Sequence, residues 1–182
     1  KIGYPDKWRE WAGLETSRAS YIGNVLAAQE FNYRWNLSKI GQPVDNSAWG
    51  LPPQMVNAYY NPLQNEIVFP AAILQPPFFD PNATDEMNYG GIGAVIGHEM
   101  THGYDDQGSR FGPTGKFENW WSDADSKGFK ALTGKLVAQF DGYRTADGQK
   151  INGNHTLGEN IADLGGLATA YDAMKAAAGD TP

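Results

Sequence analysis

Cysteine is absent from the 182-residue chain. Disulfides, thiolate metal sites and a cysteine nucleophile are thereby excluded. Histidine is scarce, at three residues. No apolar run approaches the ~18 residues that a membrane span needs, and no signal peptide is visible. Lys and Arg number 14 against 21 Asp and Glu, for a net charge of −7. No basic cluster breaks that acidity, so no nucleic-acid partner is expected. The chain opens on Lys1 instead of Met. It closes on an alanine-rich stretch, Ala176-Ala177-Ala178-Gly179-Asp180-Thr181-Pro182. The expectation is one domain portion over 1–182, cut from something larger at both ends.

What is present is a globular composition, 41% hydrophobic and 13% aromatic, with enough chain for a core. Residues 5–40 read as helical. Pro5-Asp6 opens them, Trp8, Trp11 and Leu14 form one stripe, and Tyr21, Val25 and Leu26 form a second. These aromatics are expected to pack in a core. Residues 41–53 are rich in Pro, Gly, Asp and Asn and read as loop. Alternation at Val56, Ala58 and Tyr60, a turn holding Pro62 and Asn65, and Glu66-Ile67-Val68-Phe69 predict a β-hairpin. A short helical turn and an irregular segment follow over 71–81. Residues 92–102 are nearly apolar until their histidines and read as a buried helix ending near Gly103. A helix capped by Asn119 or Ser122 is expected to reach about Tyr143, and a last one to run from about Leu157 to Ala177.

The chemistry concentrates at His98-Glu99-Met100-Thr101-His102. Two histidines four apart on a helix lie about 40° apart around its axis and face one side. That suits two corners of a zinc tetrahedron. Glu99, about 100° away, misses the metal but can reach a water on it. A carboxylate there takes the water's proton as it attacks a carbonyl. In an apolar helix two unpaired histidines would be costly, which favours the metal over ordinary packing.

The third ligand must come from elsewhere. One zincin arrangement needs a glycine three residues after the second histidine and a histidine three further on. Those positions hold Asp105 and Gly108, so that arrangement is excluded. Another uses a glutamate from a second helix, and Glu159 opens the last one. Asp163, four residues on, shares its face and could stand behind a zinc-bound histidine. Glu159 equally fits a capping box with Thr156, and the residues alone leave the two open. His155, in the polar stretch Asn152-Gly153-Asn154-His155, reads as a solvated loop residue more than as a ligand.

Gly90-Gly91-Ile92-Gly93, Val95-Ile96-Gly97-His98-Glu99, Thr101-His102-Gly103 and Asp105-Asp106-Gln107-Gly108 resemble the zinc helix of the neprilysin family of metallopeptidases. Thr156-Leu157-Gly158-Glu159-Asn160-Ile161-Ala162-Asp163, with Gly165-Gly166-Leu167, resembles its second zinc segment. Val56-Asn57-Ala58-Tyr59-Tyr60-Asn61-Pro62 and the run from Ile67 to Phe79 are similar to the stretch before the zinc helix. The resemblance covers nearly the whole chain. It implies an α+β, mostly helical fold, the catalytic lobe of a thermolysin-like zincin with a small β-hairpin or sheet beside the zinc helix. It implies one zinc per chain on His98, His102 and Glu159, with Glu99 as catalytic base. Asp105 and Asp163 become partners of the zinc histidines. Asn57 and Ala58 become an edge segment that holds a substrate backbone, and Ile73, Phe78 and Val95 an apolar pocket for the residue after the scissile bond.

The implied function is zinc-dependent hydrolysis of small peptides. Animal members carry disulfides, so a cysteine-free chain resembles the bacterial branch. A periplasmic or secreted location is then expected, with a cytoplasmic one left open. The family also extends past the second zinc segment, with a histidine that stabilises the transition state and an arginine that binds a peptide carboxylate. Two rivals follow. One is a zinc-binding fragment without turnover of its own, which self-associates or needs a complementing chain. The other is an interaction domain with an accidental motif.

Overall fold

A computed structural model describes residues 1–179; residues 180–182 of the expected alanine-rich ending lie outside the described residues. The chain divides into two compact units, Pro5–Gly50 and a larger one made of Lys1–Tyr4 with Leu51–Pro182.

The smaller unit holds a single helix, α1, Tyr21–Leu37. The helix expected over 5–40 is therefore confined to its second half. Ser20 stops it from starting earlier: its backbone is extended and its side chain accepts from the amide of Gly23, as an N-cap does. Gly13, at φ 90°, sits in the left-handed region, which interrupts any helix through 5–20. The aromatics of this unit do not enter a core, with Trp8 at 61%, Trp11 at 52% and Tyr21 at 78% exposure. Instead the guanidinium of Arg9 lies 4.3 Å from the Trp11 ring and 4.1 Å from that of Trp35, and Trp11 stacks on Phe31. Cation–π attraction substitutes for burial there.

In the larger unit the expected hairpin forms from β2, Tyr59–Asn61, and β3, Glu66–Pro70. Its register pairs Tyr59 with Val68 and Asn61 with Glu66. Asn65 takes the positive φ (47°) that the turn requires. The first strand is shorter than the alternation suggested, because Asn57 turns back on itself: its side chain accepts from the amide of Ala58. A third strand, β1, Ile2–Gly3, joins β3 in parallel, giving the order β1-β3-β2. The sheet is therefore small, and β2 is one of its edges.

The helical run beside it begins with α2, Asp85–Asn88, capped by Thr84. It passes through a π-helical turn, Tyr89–Gly93, into α3, Ala94–Thr101, and ends in a 3-10 turn, His102–Tyr104. A core of Ala58, Phe69, Ile73 and Ile92 lies between sheet and helix, with Phe78, Phe79 and Val95 packed against it. Ser122, not Asn119, caps α4, Asp123–Asp141, in a reciprocal capping box with Asp125. The last helix, α5, Leu157–Ala178, matches its expected span. No helix among the described residues is long and apolar enough to cross a membrane.

α3 and α5 run antiparallel and touch backbone to backbone. A Cβ on Gly97 would lie 2.6 Å from the carbonyl oxygen of Gly166. One on Gly166 would lie 2.5 Å from the amide nitrogen of His98. Gly93 faces Ala170 and Gly165 faces Thr101 in the same seam, and Ala162 and Ala170 are buried within it. Gly166→Ala is therefore expected to destabilise the metal-free chain by about 1–3 kcal/mol through overpacking, against its better helix propensity. Gly134→Ala on α4, where a Cβ meets nothing within 4 Å, should instead stabilise by about 0.5–1 kcal/mol. Urea midpoints compare the two, and a Gly166→Ala midpoint at or above the parent's would show that the helices have room.

Candidate metal centre and active site

α3 carries His98, and the 3-10 turn that continues it opens on His102 one turn later, both on the side that faces α5. Their Nε2 atoms lie 3.0 Å from each other. Glu159, in the first turn of α5, brings Oε2 to 3.3 Å from His98 Nε2 and 3.7 Å from His102 Nε2. The three ligand atoms are the one group among the described residues with the composition and closeness to hold a metal ion.

The donor chemistry fits zinc. Ligands about 2.0–2.2 Å from a tetrahedral zinc stand about 3.3–3.6 Å from one another, and the three separations scatter around that edge. The outer ring nitrogens decide what the inner ones offer. His98 Nδ1 is 2.9 Å from Asp163 Oδ1, and His102 Nδ1 is 2.7 Å from Asp105 Oδ2. Each carboxylate accepts the Nδ1–H and thereby leaves a lone pair on Nε2. Two lone pairs and a carboxylate then converge on one point, which repel one another unless a cation lies among them.

The capping-box alternative for Glu159 does not form. Thr156 makes no side-chain cap to the helix; its hydroxyl accepts from the Asn160 side chain instead. Glu159 is thus released toward the histidines. His155 is exposed and stands outside the cluster, as its polar surroundings suggested.

Glu99 is 5% exposed, on the α3 face turned toward β2. Burial pushes its carboxyl above the usual carboxylate range, and the nearby histidines offset this only in part. Its hydrogen bond with the backbone of Tyr60 ties it to the sheet edge. Asp105 is also buried. Burial alone would raise its carboxyl, but bonds from His102 and from the amides of Gly108 and Gln107 together hold it below the usual range. The Asp105 hydrogen bond is in turn the main reason why the His102 ring is more basic than usual.

A cleft of about 410 Å³ opens over this group, lined by Asn57, Ala58, Tyr59, Tyr60, His98, Glu99, His102, Asp105 and Glu159. The structure therefore brings Asn57 and Ala58 to the metal site, in the segment just before the edge strand β2. Ile73, Phe78 and Val95 lie behind, in and against the apolar core, and are not among the cleft's lining residues. Sequence reasoning passed over Tyr60. Its position two residues after Ala58 in the alternating stretch was the available signal.

The chain matches the model of peptidase family M13 over residues 57–181. It is 44% identical to an endothelin-converting enzyme homolog of Locusta migratoria, over 94% of this chain and 24% of that protein. It is 45% identical to human endothelin-converting enzyme-like 1, over 96% of this chain and 23% of that protein. Among solved structures, the zinc metalloprotease Zmp1 of Mycobacterium tuberculosis, in complex with an inhibitor, superposes with a TM-score of 0.94 at 48% identity. That match covers 100% of this chain and 29% of Zmp1. PepO of Lactobacillus rhamnosis superposes at 0.87 and 38% identity, covering 100% of this chain and 28% of PepO. The chain thus spans about a quarter of the length of the curated relatives it matches. With the zinc-ligand geometry, the α+β zincin fold and these matches together, the chain belongs to peptidase family M13, the neprilysin family of zinc metallopeptidases.

Proposed function

We propose that this chain is the zinc-binding catalytic core of a peptidase that hydrolyses small peptides with zinc-activated water. The observation that carries the reading is the convergence of His98 Nε2, His102 Nε2 and Glu159 on one point, with Glu99 buried beside them. When bound, zinc supplies a Lewis acid and an acidified water. The chain's own residues do the rest. Asp163 and Asp105 hold the imidazoles in one tautomer and orientation. Glu99 receives the proton of the attacking water. The segment leading into β2, at Asn57 and Ala58, offers main-chain groups to an extended peptide. The pocket assigned to Ile73, Phe78 and Val95 for the residue after the scissile bond belongs to the same reading. So does an extracytoplasmic location in a bacterium.

A second reading, zinc binding with little turnover by this chain alone, is favoured by the openness of one side. Glu159 and Asp163 side chains are 69% and 75% exposed. Water at such a site weakens the electrostatic contacts on which turnover depends. Self-association or a complementing chain that covers this side goes with that reading.

The metal-free chain should take up one zinc, and Glu159→Ala should weaken it strongly; elemental analysis that finds no zinc in the reconstituted chain would refute the proposal. Glu99→Gln, nearly isosteric and outside the ligand set, should keep the zinc and abolish hydrolysis of a fluorogenic peptide by the full-length protein. Zinc lost from that variant would make Glu99 a structural residue. Asp163→Ala should lower zinc affinity by about 10- to 100-fold in a competitive chelator titration. An unchanged constant would reduce Asp163 to a surface carboxylate.

A further inference from the structure

Asp106 takes no part in the metal centre as described, yet it touches the element that supplies the third ligand. One of its carboxylate oxygens, Oδ2, accepts from the Gln107 side chain at 2.8 Å. The other, Oδ1, is buried and has no hydrogen-bond partner among the described residues. A buried carboxylate oxygen without a partner is costly unless a positive potential lies near it. Such a potential is at hand. A Cβ placed on Gly158 would lie 3.1 Å from Asp106 Oδ1 and 3.1 Å from Asp105 Oδ2. Gly158 is the second residue of α5, where the helix presents its unsatisfied amides and the positive end of its dipole. Thr156, the residue that would ordinarily satisfy them, makes no side-chain cap.

We propose that Asp106 is a positioning residue for the metal centre. Its carboxylate seats the first turn of α5 against the loop that follows α3, and so holds Glu159 at the distance where it completes the ligand set. The inference rests on the zinc-binding reading above. The glycine at 158 lets the helix come this close: any side chain there meets both carboxylates at once. Asp105 and Asp106 divide the work. Asp105 orients His102, and Asp106 orients the helix that carries the partner ligand.

The test is zinc affinity by chelator competition, with the helix content of the metal-free chain followed by circular dichroism. Asp106→Asn keeps the shape and removes the charge. It should lower zinc affinity by about 2- to 30-fold, the range of a helix-terminus charge interaction, with helix content unchanged. In a Glu159→Ala background, where the two histidines remain, the same substitution should have no further effect, because Asp106 acts through Glu159. A second variant, Gly158→Ala, guards against an Asp106→Asn chain that fails to fold. It favours the helix intrinsically, yet should lower zinc affinity by pushing the first turn off the carboxylates. Cobalt(II) in place of zinc should show an altered visible spectrum in both single variants, as the carboxylate ligand moves. Failure of the parent chain to bind zinc would overturn the metal reading itself. With a zinc-binding parent, unchanged affinity in Asp106→Asn or in Gly158→Ala would overturn the role of Asp106 alone. Persistence of the Asp106→Asn effect in the Glu159→Ala background would do the same.

Discussion

The approach of α3 to α5 at Gly97 and Gly166 is the constraint on which the site depends. Side chains on two packed helices usually keep their axes about 8–10 Å apart. Here a Cβ on Gly97 would run into the backbone of Gly166, and one on Gly166 into the backbone of Ala94 and His98, so the backbones themselves are in contact. That contact sets the reach of everything nearby. His98 and Gly97 are neighbours, and Gly166 lies two turns beyond Glu159. A wider seam would move Glu159 and Asp163 off the histidines together, since both project from the same helix face.

The two histidines are each fixed from a different direction. Asp105 follows His102 closely in the chain and is buried, so its hold on Nδ1 is local and survives whatever α5 does. Asp163 belongs to α5 and is largely exposed, so its hold on His98 exists only while the helices are docked. One histidine is therefore set by the loop after α3, and the other by the helix seam. The tetrahedral face is complete only when both conditions hold.

Much of this was legible in the sequence, and the limits have physical causes. The spacing of His98 and His102 defined the helix face directly, because a helix converts sequence spacing into angle. The hairpin was legible from alternation and from Pro62 and Asn65. The choice between ligand and capping box for Glu159 was not, because both roles need a glutamate at the third position of a helix. Only the rotation of the Thr156 hydroxyl toward Asn160 decides it locally. Residues 5–20 misled for a related reason. Trp8, Trp11 and Leu14 have helical spacing, but Gly13 takes a positive φ and Ser20 caps the helix behind them. The glycines of the α3–α5 seam carry no pairing signal one at a time, and their value appears only when the two helices are seen together.

Electrostatics separates the centre into a finished half and an adjustable one. Glu99, Asp105, Glu159 and Asp163 place four carboxylates around two imidazoles, whose Nδ1 protons are already committed. Such a group is strongly negative, and a divalent cation relieves it. The relief is unequal across the site. On the α3 side, Glu99 and Asp105 are buried, so solvent screens them little and their geometry is fixed by hydrogen bonds before any metal arrives. On the α5 side, water screens Glu159 and Asp163 and tolerates their repulsion in the metal-free state. The pair of histidines is thus held by its own hydrogen bonds, and the third ligand sits on a solvated helix start. The final affinity then depends on how firmly the start of α5 is held as well as on the two histidines.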